Sequence, residues 1–258
     1  MIDLTGRIAL VPGANGAIGS WVARVFAACG ADLALTWRSG EGEAKAALDH
    51  AKGLGRRARL DRLDASDLGQ VQSWVKDVLA EYGRIDVLAS GVGSRAEGGF
   101  KLFTETPPES WQETLASQLM AFINLSYAVV GPMIERKSGR IMSIGSDGGK
   151  VGQSGVAVGS AAHGGLIAFS KALAREVGRH GITVNIVCPG PTEGPTLDHL
   201  RSQGTTGSKI VEEMIRRVPM KRPGTARELG AMMAFLASAE GGYITGQAIS
   251  VSGGLTMN

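Results

Sequence analysis

A glycine-rich stretch near the start of the chain has the residue types and the spacing of a phosphate-binding turn. Glycines let a backbone approach a pyrophosphate closely, and the first turn of a helix supplies N–H groups and the positive end of its dipole. The stretch follows an aliphatic run and leads directly into an amphipathic one. We therefore expect it to bind a pyrophosphate group. The residues expected to contact that group are Gly13, Asn15, Gly16, Ala17, Ile18 and Gly19.

The rest of the chain alternates short aliphatic runs with amphipathic stretches, which is typical of βαβ units on a parallel sheet buried on both faces. Strands are predicted at 8–11, 33–36, 58–63, 87–89, 140–144, 183–188 and 248–251. Helices are predicted at 17–29, 43–54, 68–82, 111–137, 161–180 and 226–238. The pattern predicts an α/β fold, a Rossmann-type doubly wound seven-stranded parallel sheet with helices on both faces. Right-handed crossovers then place the functional loops at the carboxyl ends of the strands.

The composition is that of one folded domain. With 258 residues, 43% of them hydrophobic, the chain can bury one large core, so we expect a single domain over residues 1–258. The 27 basic and 24 acidic side chains are scattered, and a net charge of +3 without a basic face argues against nucleic acid as a partner. No apolar stretch approaches the roughly 20 residues that span a bilayer, so we expect no membrane partner and a cytoplasmic protein.

Two further features bear on function. Cys29 and Cys188 lack metal-ligand spacing, so we expect no metal site and two reduced, buried thiols. Residues 191–219 are rich in Gly, Thr, Ser and Pro before a short amphipathic run at 210–215. Long segments of this kind are usually functional, so we expect a lid over the substrate here, with simple surface padding as the alternative.

Three motifs give the chain a family resemblance over essentially its full length. They are Leu63-Asp64-Ala65, Pro189-Gly190 and a carboxyl-terminal run that begins at Tyr243 and contains Ser252-Gly253-Gly254. With the glycine-rich turn, these motifs make the chain resemble the short-chain dehydrogenase/reductase family. That family places a Ser thirteen residues before a Tyr, and a Lys four residues after the Tyr. Here Ser146 is kept, whereas Gly159 holds the Tyr position and His163 holds the Lys position.

The resemblance implies a nicotinamide cofactor, and one position bears on which one. NAD-dependent members carry an Asp at the end of the second strand, and the matching residue is Trp37, followed by Arg38 and Ser39. An arginine suits a 2′-phosphate, so we expect NADP(H), although Arg38 could also be no more than a solvated charge. The phosphate-binding pattern T-G-x-x-x-G-x-G is altered twice, since Pro12 replaces the Thr and Ala17 replaces the middle Gly.

Other cofactor contacts follow from the same resemblance. Asp64 and Ala65 match the residues that contact adenine, and Pro189 and Gly190 match the turn at the nicotinamide end. The motif after the fourth strand is usually N-N-A-G and is here Ser90-Gly91-Val92-Gly93, so Ser90 and Gly91 are expected at the cofactor. The Thr that bonds the carboxamide falls on Gly194, and Thr192 or Thr196 could stand in for it.

The catalytic positions depart further from the family. Its Tyr gives a proton to the carbonyl oxygen, its Lys lowers the Tyr pKa and holds the ribose, its Ser orients the carbonyl and its Asn supports a water. Gln118 occupies the Asn position, and Gly159 has no proton to give, which excludes the usual route. Because 159 and 163 are one helical turn apart, His163 should lie beneath the space left by the Tyr.

We therefore expect His163 to act as a replacement acid or base, since a histidine titrates near neutral pH. Ser146 would orient a substrate oxygen, and Gln118 would hold a water. The alternative is that His163 only bonds the ribose or fills the hole. Asp147, Lys150 and Glu193 lie on nearby loops and are further candidates for charge or a proton.

Three functions remain open from the sequence. The first is an NADP(H)-dependent oxidoreductase with an altered proton donor, acting on a carbonyl, imine or activated alkene of a small molecule. The second is a non-redox lyase or isomerase that uses Ser146 and His163. The third is a catalytically silent subunit that binds cofactor. The carboxyl-terminal match and the long helices imply a homotetramer or homodimer by resemblance.

Overall fold

Seven parallel strands form the sheet of the protein, of which a computed structural model describes residues 2–93 and 101–257. The strands are β1 Ile8–Val11, β2 Asp32–Trp37, β3 Ala58–Arg62, β4 Val87–Ser90, β5 Gly139–Ile144, β6 Ile182–Pro189 and β7 Ala248–Val251. They lie in the order β3-β2-β1-β4-β5-β6-β7. Strands β1 to β3 are therefore added toward one edge of the sheet and β4 to β7 toward the other, and the switch falls between β1 and β4. This confirms the predicted doubly wound sheet, in which ligands bind at the carboxyl edge beside that switch.

The described helices cover both faces of this sheet. They are α1 Ala17–Ala28, α2 Gly42–Gly53, α3 Leu68–Tyr82, α4 Glu109–Leu115, α5 Ala121–Arg136, α6 Gly148–Val151, α7 Ala157–Val177, α8 Pro195–Ser202, α9 Gly204–Arg217 and α10 Ala226–Ala237. Helices α3, α5 and α7 pack on one face of the sheet, and α1, α2 and α10 pack on the other.

Strand side chains alternate between these two cores, as the pleat requires. Leu10 and Leu88 belong to the core under α3, α5 and α7, whereas Val11 and Val87 belong to the core under α1, α2 and α10. All four are fully buried, and each such side chain contributes about 1.5–3 kcal/mol relative to an exposed one. The sheet is thus held from both sides, which fixes the positions of the loops at its carboxyl edge.

Local signals in the sequence set several helix ends. The Asp67 carboxylate accepts a hydrogen bond from the Gln70 backbone N–H at the start of α3, and Gly83 ends that helix in the left-handed conformation. Thr225 and Glu228 form a reciprocal capping box at the start of α10. These caps satisfy backbone groups that the helices themselves leave unpaired.

The structure differs from the prediction in two segments. The helix predicted at 111–137 is divided, because a π-helical turn at Ala116–Met120 separates α4 from α5. The segment 191–219 contains the helices α8 and α9 rather than a loop with one amphipathic run. A small apolar cluster of Leu197, Leu200 and Val211 joins α8 to α9. Their Gly, Thr and Pro content concealed both helices from a propensity-based prediction.

The stretch Glu109–Arg136 is, among the described residues, the one long and apolar enough to cross a membrane by length and composition. Its residues Phe122, Leu125, Val129 and Met133 are buried in the core against the sheet. Packing inside the domain therefore accounts for part of its apolar character, while Leu115, Met120 and Tyr127 are exposed.

Candidate functional site

The phosphate-binding turn is closed by three glycines that touch backbone to backbone. A Cβ on Gly13, whose φ is +78°, would lie 2.8 Å from the carbonyl carbon of Gly91. A Cβ on Gly91 would lie 2.9 Å from the Cα of Gly19, and one on Gly19 would overlap the carbonyl oxygen of Gly13. These contacts bring the end of β4 against the first turn of α1. Side chains at these positions would force the two loops apart.

Other residues of this turn are held less tightly. The Asn15 Nδ2 donates to the Ser39 carbonyl at 2.7 Å, which ties the turn to the end of β2. A Cβ on Gly16 would meet nothing closer than the Gly13 carbonyl oxygen at 3.4 Å. Gly16 has extended backbone angles and immediately precedes α1, whose first two residues are Ala17 and Ile18. The close packing of this turn therefore requires glycine at Gly13 and Gly19 but not at Gly16.

The Ala17 methyl group faces the segment after β6. It lies 3.5 Å from the position of a Cβ on Gly194, a residue whose φ of +136° favours glycine. Ala17 is the residue that replaces the middle glycine of the family pattern, so this methyl narrows the space between the turn and the segment 191–219.

The far end of the cleft is built at the end of β3. The Asp64 Oδ1 accepts hydrogen bonds from the Ser66 backbone N–H at 3.0 Å and from the Ser66 hydroxyl at 2.6 Å. Asn124 on α5 donates to the carbonyls of Ala65 and Ser66 at 3.1 and 3.0 Å. Within the described residues, no hydrogen bond uses the Asp64 Oδ2. The carboxylate is thus fixed in orientation with one oxygen left to accept from an adenine amino group.

The end of β2 carries positive charge. Trp37 is half-buried, Arg38 and Ser39 are exposed, and no carboxylate among the described residues forms an ion pair with Arg38. The guanidinium of Arg62, at the end of β3, lies over the Trp37 ring with its carbon 5.6 Å from the ring centroid. Its Nε donates to the Arg38 carbonyl at 3.4 Å.

Two further loops complete the cofactor end. The Ser90 Oγ accepts from the Val92 N–H at 3.3 Å, which holds the turn that carries Gly91. Pro189 ends β6, and a Cβ on Gly190 would lie 2.8 Å from both the Cα and the Cβ of Ser252, so only glycine fits there. The Thr192 hydroxyl donates its proton to the Gly190 carbonyl at 2.9 Å. The hydroxyl oxygen of Thr192 can still accept a hydrogen bond.

These observations fit an adenine dinucleotide. Gly13, Gly16 and Gly19 present backbone at the α1 N-terminus, Asp64 presents an oriented acceptor, and Arg38 is a donor without an ion-pair partner among the described residues at the end of β2. The Ala17 methyl group points toward Gly194, at the edge of this turn.

At the other end of the cleft, the Ser146 hydroxyl lies at the start of α6. Its Oγ accepts from the Gly148 N–H at 3.1 Å, and within the described residues its own proton is not donated. A Cβ on Gly148 would lie 3.3 Å from the Ser146 Oγ and 3.2 Å from the Ser160 Oγ, so both hydroxyls face the same glycine. Ser146 therefore has a hydroxyl proton without an acceptor among the described residues, and its role in orienting a substrate oxygen stays a prediction.

Among the described residues, none crowds the position that the family fills with Tyr. A Cβ on Gly159 would meet only the Gln118 Oε1 at 3.8 Å and the Val156 Cβ at 3.9 Å, both ordinary contact distances. Gln118 lies within the π-helical turn Ala116–Met120, a type of distortion that is frequent at functional sites. The structure thus places Gln118 beside Gly159, and its expected role in holding a water stays a prediction.

His163 lies one turn further along α7, under α6. Its neighbour Gly149 is so close that a Cβ there would lie 2.7 Å from the His163 Cβ. Burial by this packing lowers the pKa of His163 to about 4. Its Nδ1 is buried and has no hydrogen-bond partner among the described residues. The imidazole is therefore neutral at pH 7, which corrects the expectation that His163 titrates near neutrality as an acid.

Comparison with known proteins adds to this geometry. A family model described as enoyl-(acyl carrier protein) reductase matches residues 13–256. The 3-oxoacyl-[acyl-carrier-protein] reductase FabG of Escherichia coli (strain K12) is 37% identical over 256 residues, which are 99% of this chain and 100% of the relative. The chain belongs to the short-chain dehydrogenase/reductase family.

Two further comparisons agree with membership of this family of oxidoreductases. Nodulation protein G of Rhizobium sp. (strain N33) is 36% identical over 257 residues, covering 100% of both chains. The crystal structure of an NAD+-bound xylitol dehydrogenase has a TM-score of 0.91 and 26% identity, and the match covers 97% of this chain and 99% of that one. Short-chain dehydrogenase/reductase architecture therefore extends over nearly the whole chain.

In this short-chain dehydrogenase/reductase, the loop after Ser146 carries a buried polar network. The Ser250 hydroxyl on β7 donates to the Asp147 Oδ1 at 2.5 Å and accepts from the Lys150 Nζ at 2.8 Å. Asp147 is 6% exposed, and its Oδ2 has no partner among the described residues. Asp147 and Lys150 therefore join α6 to β7 through the Ser250 hydroxyl. Asp147 and Ser250 are 103 residues apart in the chain, so the sequence pattern does not show this pairing.

Several predicted residues lie away from the centre of the site. Glu193 pairs with Arg201 on α8 at 2.9 Å, which lowers the pKa of Glu193 and turns its carboxylate toward solvent. Cys188 is buried, and burial raises the pKa of its thiol to about 11, whereas Cys29 is only half-buried. Within residues 2–93 and 101–257, no group of three or more His, Cys, Asp or Glu side chains is arranged to hold a metal ion.

Proposed function

We propose that this protein is an NADP(H)-dependent oxidoreductase that acts on a small molecule with a carbonyl, imine or activated alkene, through an altered proton donor. The observation that carries the proposal is the interlocking of Gly13, Gly19 and Gly91, which preserves a dinucleotide turn in a chain whose Tyr position is empty. These contacts support a nucleotide as the ligand, because they hold the backbone of a glycine-rich turn at the α1 N-terminus, the arrangement that binds a pyrophosphate.

Bound NADPH would supply a hydride to the substrate. The turn containing Gly13 and Gly19 would hold its pyrophosphate, the Asp64 carboxylate its adenine, and Arg38 its 2′-phosphate. Pro189 and Gly190 would line its other end. Under this assignment the chain keeps the glycine turn, Asp64 and Pro189-Gly190, and it departs from the family's cofactor motifs at Pro12, Ala17, Ser90, Gly91, His163 and Gly194.

The residues around Gly159 favour a hydride acceptor that needs little acid from the protein. The Ser146 hydroxyl would donate to a carbonyl oxygen or a neutral imine nitrogen, or its oxygen would accept from the N–H of a protonated imine, and either bond would orient the substrate. The space at Gly159 leaves room for a water beside Gln118, and His163 is neutral with a lowered pKa, so no strong acid stands in for the Tyr. An iminium cation meets this condition best, because hydride addition to its carbon gives a neutral amine without a proton transfer.

The neutral imidazole also lowers the positive charge in this half of the cleft. The family's Lys would repel a cationic substrate, whereas His163 at pH 7 carries no charge. This supports the iminium over the carbonyl within the proposed substrate classes. A lyase or isomerase that uses His163 as its base receives less support, since a group with a pKa of about 4 is a weak base.

We also propose that the protein works in the cytoplasm as a homotetramer or homodimer. The family resemblance of the carboxyl-terminal strand and of the long helices supports this assembly. Analytical ultracentrifugation of the purified protein tests it, with a monomer at micromolar concentration as the result that would reject it.

A single-turnover assay tests the proposed function. NADPH carrying deuterium at the transferable C4 position is incubated with excess protein and with a cyclic iminium, an aldehyde or an activated alkene. We expect deuterium in the product, with the iminium reacting fastest, and we expect Ser146→Ala to slow transfer. Binding of NADPH without deuterium transfer to any of the three classes would instead support a catalytically silent subunit.

A further inference from the structure

We propose that Arg62 is a specificity-determining residue of the cofactor site, and that its guanidinium joins Arg38 in binding the 2′-phosphate of NADP(H). The proposal rests on the proposed function, because it assigns a second cation to the same nucleotide. Arg38 alone was recognisable from the sequence, by its place after β2. Arg62 enters the site only through the pairing of β3 with β2.

The strand register brings the two arginines together. Trp37 and Arg62 are paired residues at the last positions of β2 and β3, at the carboxyl edge where the phosphate-binding turn lies. The Arg62 guanidinium carbon is 5.6 Å from the Trp37 ring centroid, and the Arg62 Nε donates to the Arg38 backbone carbonyl at 3.4 Å. Because Asn15 bonds the Ser39 carbonyl, the same edge is tied to the glycine-rich turn.

Arg62 differs from Arg57 and Arg59 because it has no carboxylate partner among the described residues. Arg57, just before β3, pairs with Asp32 at 2.7 Å. Arg59, within β3, pairs with both Asp61 and Glu81 at 2.7 Å. Among the described residues, no carboxylate forms an ion pair with Arg62, and the side chain is exposed. The carboxyl edge of β2 and β3 therefore carries two arginines whose charge is not neutralised locally.

Trp37 gives Arg62 a defined orientation. A guanidinium over an indole face is favoured by about 0.5–1 kcal/mol at an exposed site. With its Nε bonded to the Arg38 carbonyl, the Arg62 fork has its two terminal nitrogens without a partner among the described residues. A planar fork with two free N–H edges matches the oxygens of a phosphate, as an ammonium group does not.

The family's NAD-dependent members have an Asp where this chain has Trp37. The replacement removes a negative charge that would repel a 2′-phosphate, and it also supplies the surface on which Arg62 rests. One substitution thus acts twice in the same direction. The competing explanation is that Arg62 only covers the Trp37 ring from water, as long cationic side chains often do.

Calorimetric titration of Arg62→Ala with two pairs of nucleotides separates these explanations. The probes are NADPH against NADH, and 2′,5′-ADP against 5′-AMP, since each pair differs in the 2′-phosphate. We expect Arg62→Ala to weaken binding of NADPH and 2′,5′-ADP about tenfold, and to leave NADH and 5′-AMP within about twofold. Arg62→Lys should recover less than half of the lost affinity, because it restores charge without the fork.

Arg57→Ala is the matched control, because it removes the same charge near the opposite end of the same strand. It should leave all four affinities unchanged. If Arg62→Ala leaves NADPH binding unchanged, or weakens NADPH and NADH equally, the role of Arg62 is overturned while the proposed function stands. If the unaltered protein binds neither NADPH nor NADH, both proposals fail together.

Discussion

The two ends of the cleft differ in how closely their backbones are packed. At the nucleotide end, a methyl group added to Gly13, Gly19 or Gly91 would collide with backbone atoms of the opposite loop. At the catalytic end, a methyl group added to Gly159 would reach nothing closer than 3.8 Å. Both ends are rich in glycine, but the glycines of the first are required by contact and the glycine of the second leaves a space.

This difference shows which parts of the site the fold itself maintains. The turn at the α1 N-terminus is built from backbone contacts between β1, β4 and α1, so its shape is part of the packing of the sheet. Gly159 is only partly buried, and a side chain there would have no close contact with a described residue. The packing of the sheet therefore maintains the glycine turn but not the residue at position 159.

The largest expected effect comes from a substitution that disrupts the glycine contacts at the nucleotide end. Gly19→Ala should abolish nucleotide binding, with a loss of more than about a hundredfold, because its Cβ would overlap the Gly13 carbonyl and separate the two loops. Gly16→Ala is the control for folding, since a Cβ there lies 3.4 Å from its nearest described neighbour and should leave the thermal unfolding unchanged. Fluorescence titration with NADPH and thermal unfolding measure both variants. Unchanged binding by Gly19→Ala would show that the glycine contact is not needed.

The second largest effect is expected from substitutions that restore the family's side chains at the catalytic end. The double substitution Gly159→Tyr, His163→Lys restores the family's proton donor in a space that accepts its Cβ, so reduction of aldehydes by NADPH should rise about a hundredfold. Each single variant should gain less than about threefold, because the Tyr needs the Lys to lower its pKa. A folded double variant that binds NADPH and gains nothing would show that more than these two residues has been lost.

The pH dependence of stability reports the burial of His163. Its pKa is about 4 in the folded protein and about 6.5 when unfolded, so the unfolded chain takes up the proton first. The stabilisation is complete above pH 6.5 and is lost as the pH falls toward 4. Between pH 7.5 and 4.5, urea unfolding of the native protein should lose about 2–3 kcal/mol more than that of His163→Gln.

His50→Gln serves as the matched control for this measurement, because His50 is an exposed histidine on α2. Its loss of stability over the same pH range should equal that of the native protein. Equal losses in all three proteins would mean that His163 titrates normally and is able to act as an acid near neutral pH.

The smallest expected effect concerns the methyl group at the edge of the nucleotide end. Ala17→Gly should strengthen binding of NADPH and NADH alike by about threefold, since it removes the contact with the segment at Gly194. Equal gains for the two nucleotides would place the effect at the pyrophosphate that they share. A loss of affinity would show that the Ala17 contact helps to order the cofactor site.

Most strands were predictable because they are buried aliphatic runs, and the bounds of β1 and β7 agree with the prediction. The π-helical turn that carries Gln118 was not, because a shift in hydrogen-bond register leaves no signal in the apolar pattern. The helices α8 and α9 were missed for the opposite reason, since their residues favour turns and only the cluster around Leu197 and Val211 makes them helical.

Site residues divide in the same way. Ser146 and Gly159 were found from spacing along the chain, which the fold preserves. Arg62 was missed, because only the pairing of β3 with β2 sets it against Trp37. The low pKa of His163 was missed as well, since burial by α6 depends on glycine packing at Gly149 and not on any neighbouring charge in the sequence.

Titration of the unaltered protein with NADPH and with NADH tests most directly the claim that the nucleotide end is intact. Quenching of tryptophan fluorescence, with energy transfer to the nicotinamide, follows the binding, and Trp37 lies at the expected 2′-phosphate site. We predict saturable binding of both nucleotides, with NADPH bound at least about tenfold more tightly. No saturable binding of either nucleotide up to about 1 mM would contradict the account and leave the interlocked glycines without a ligand.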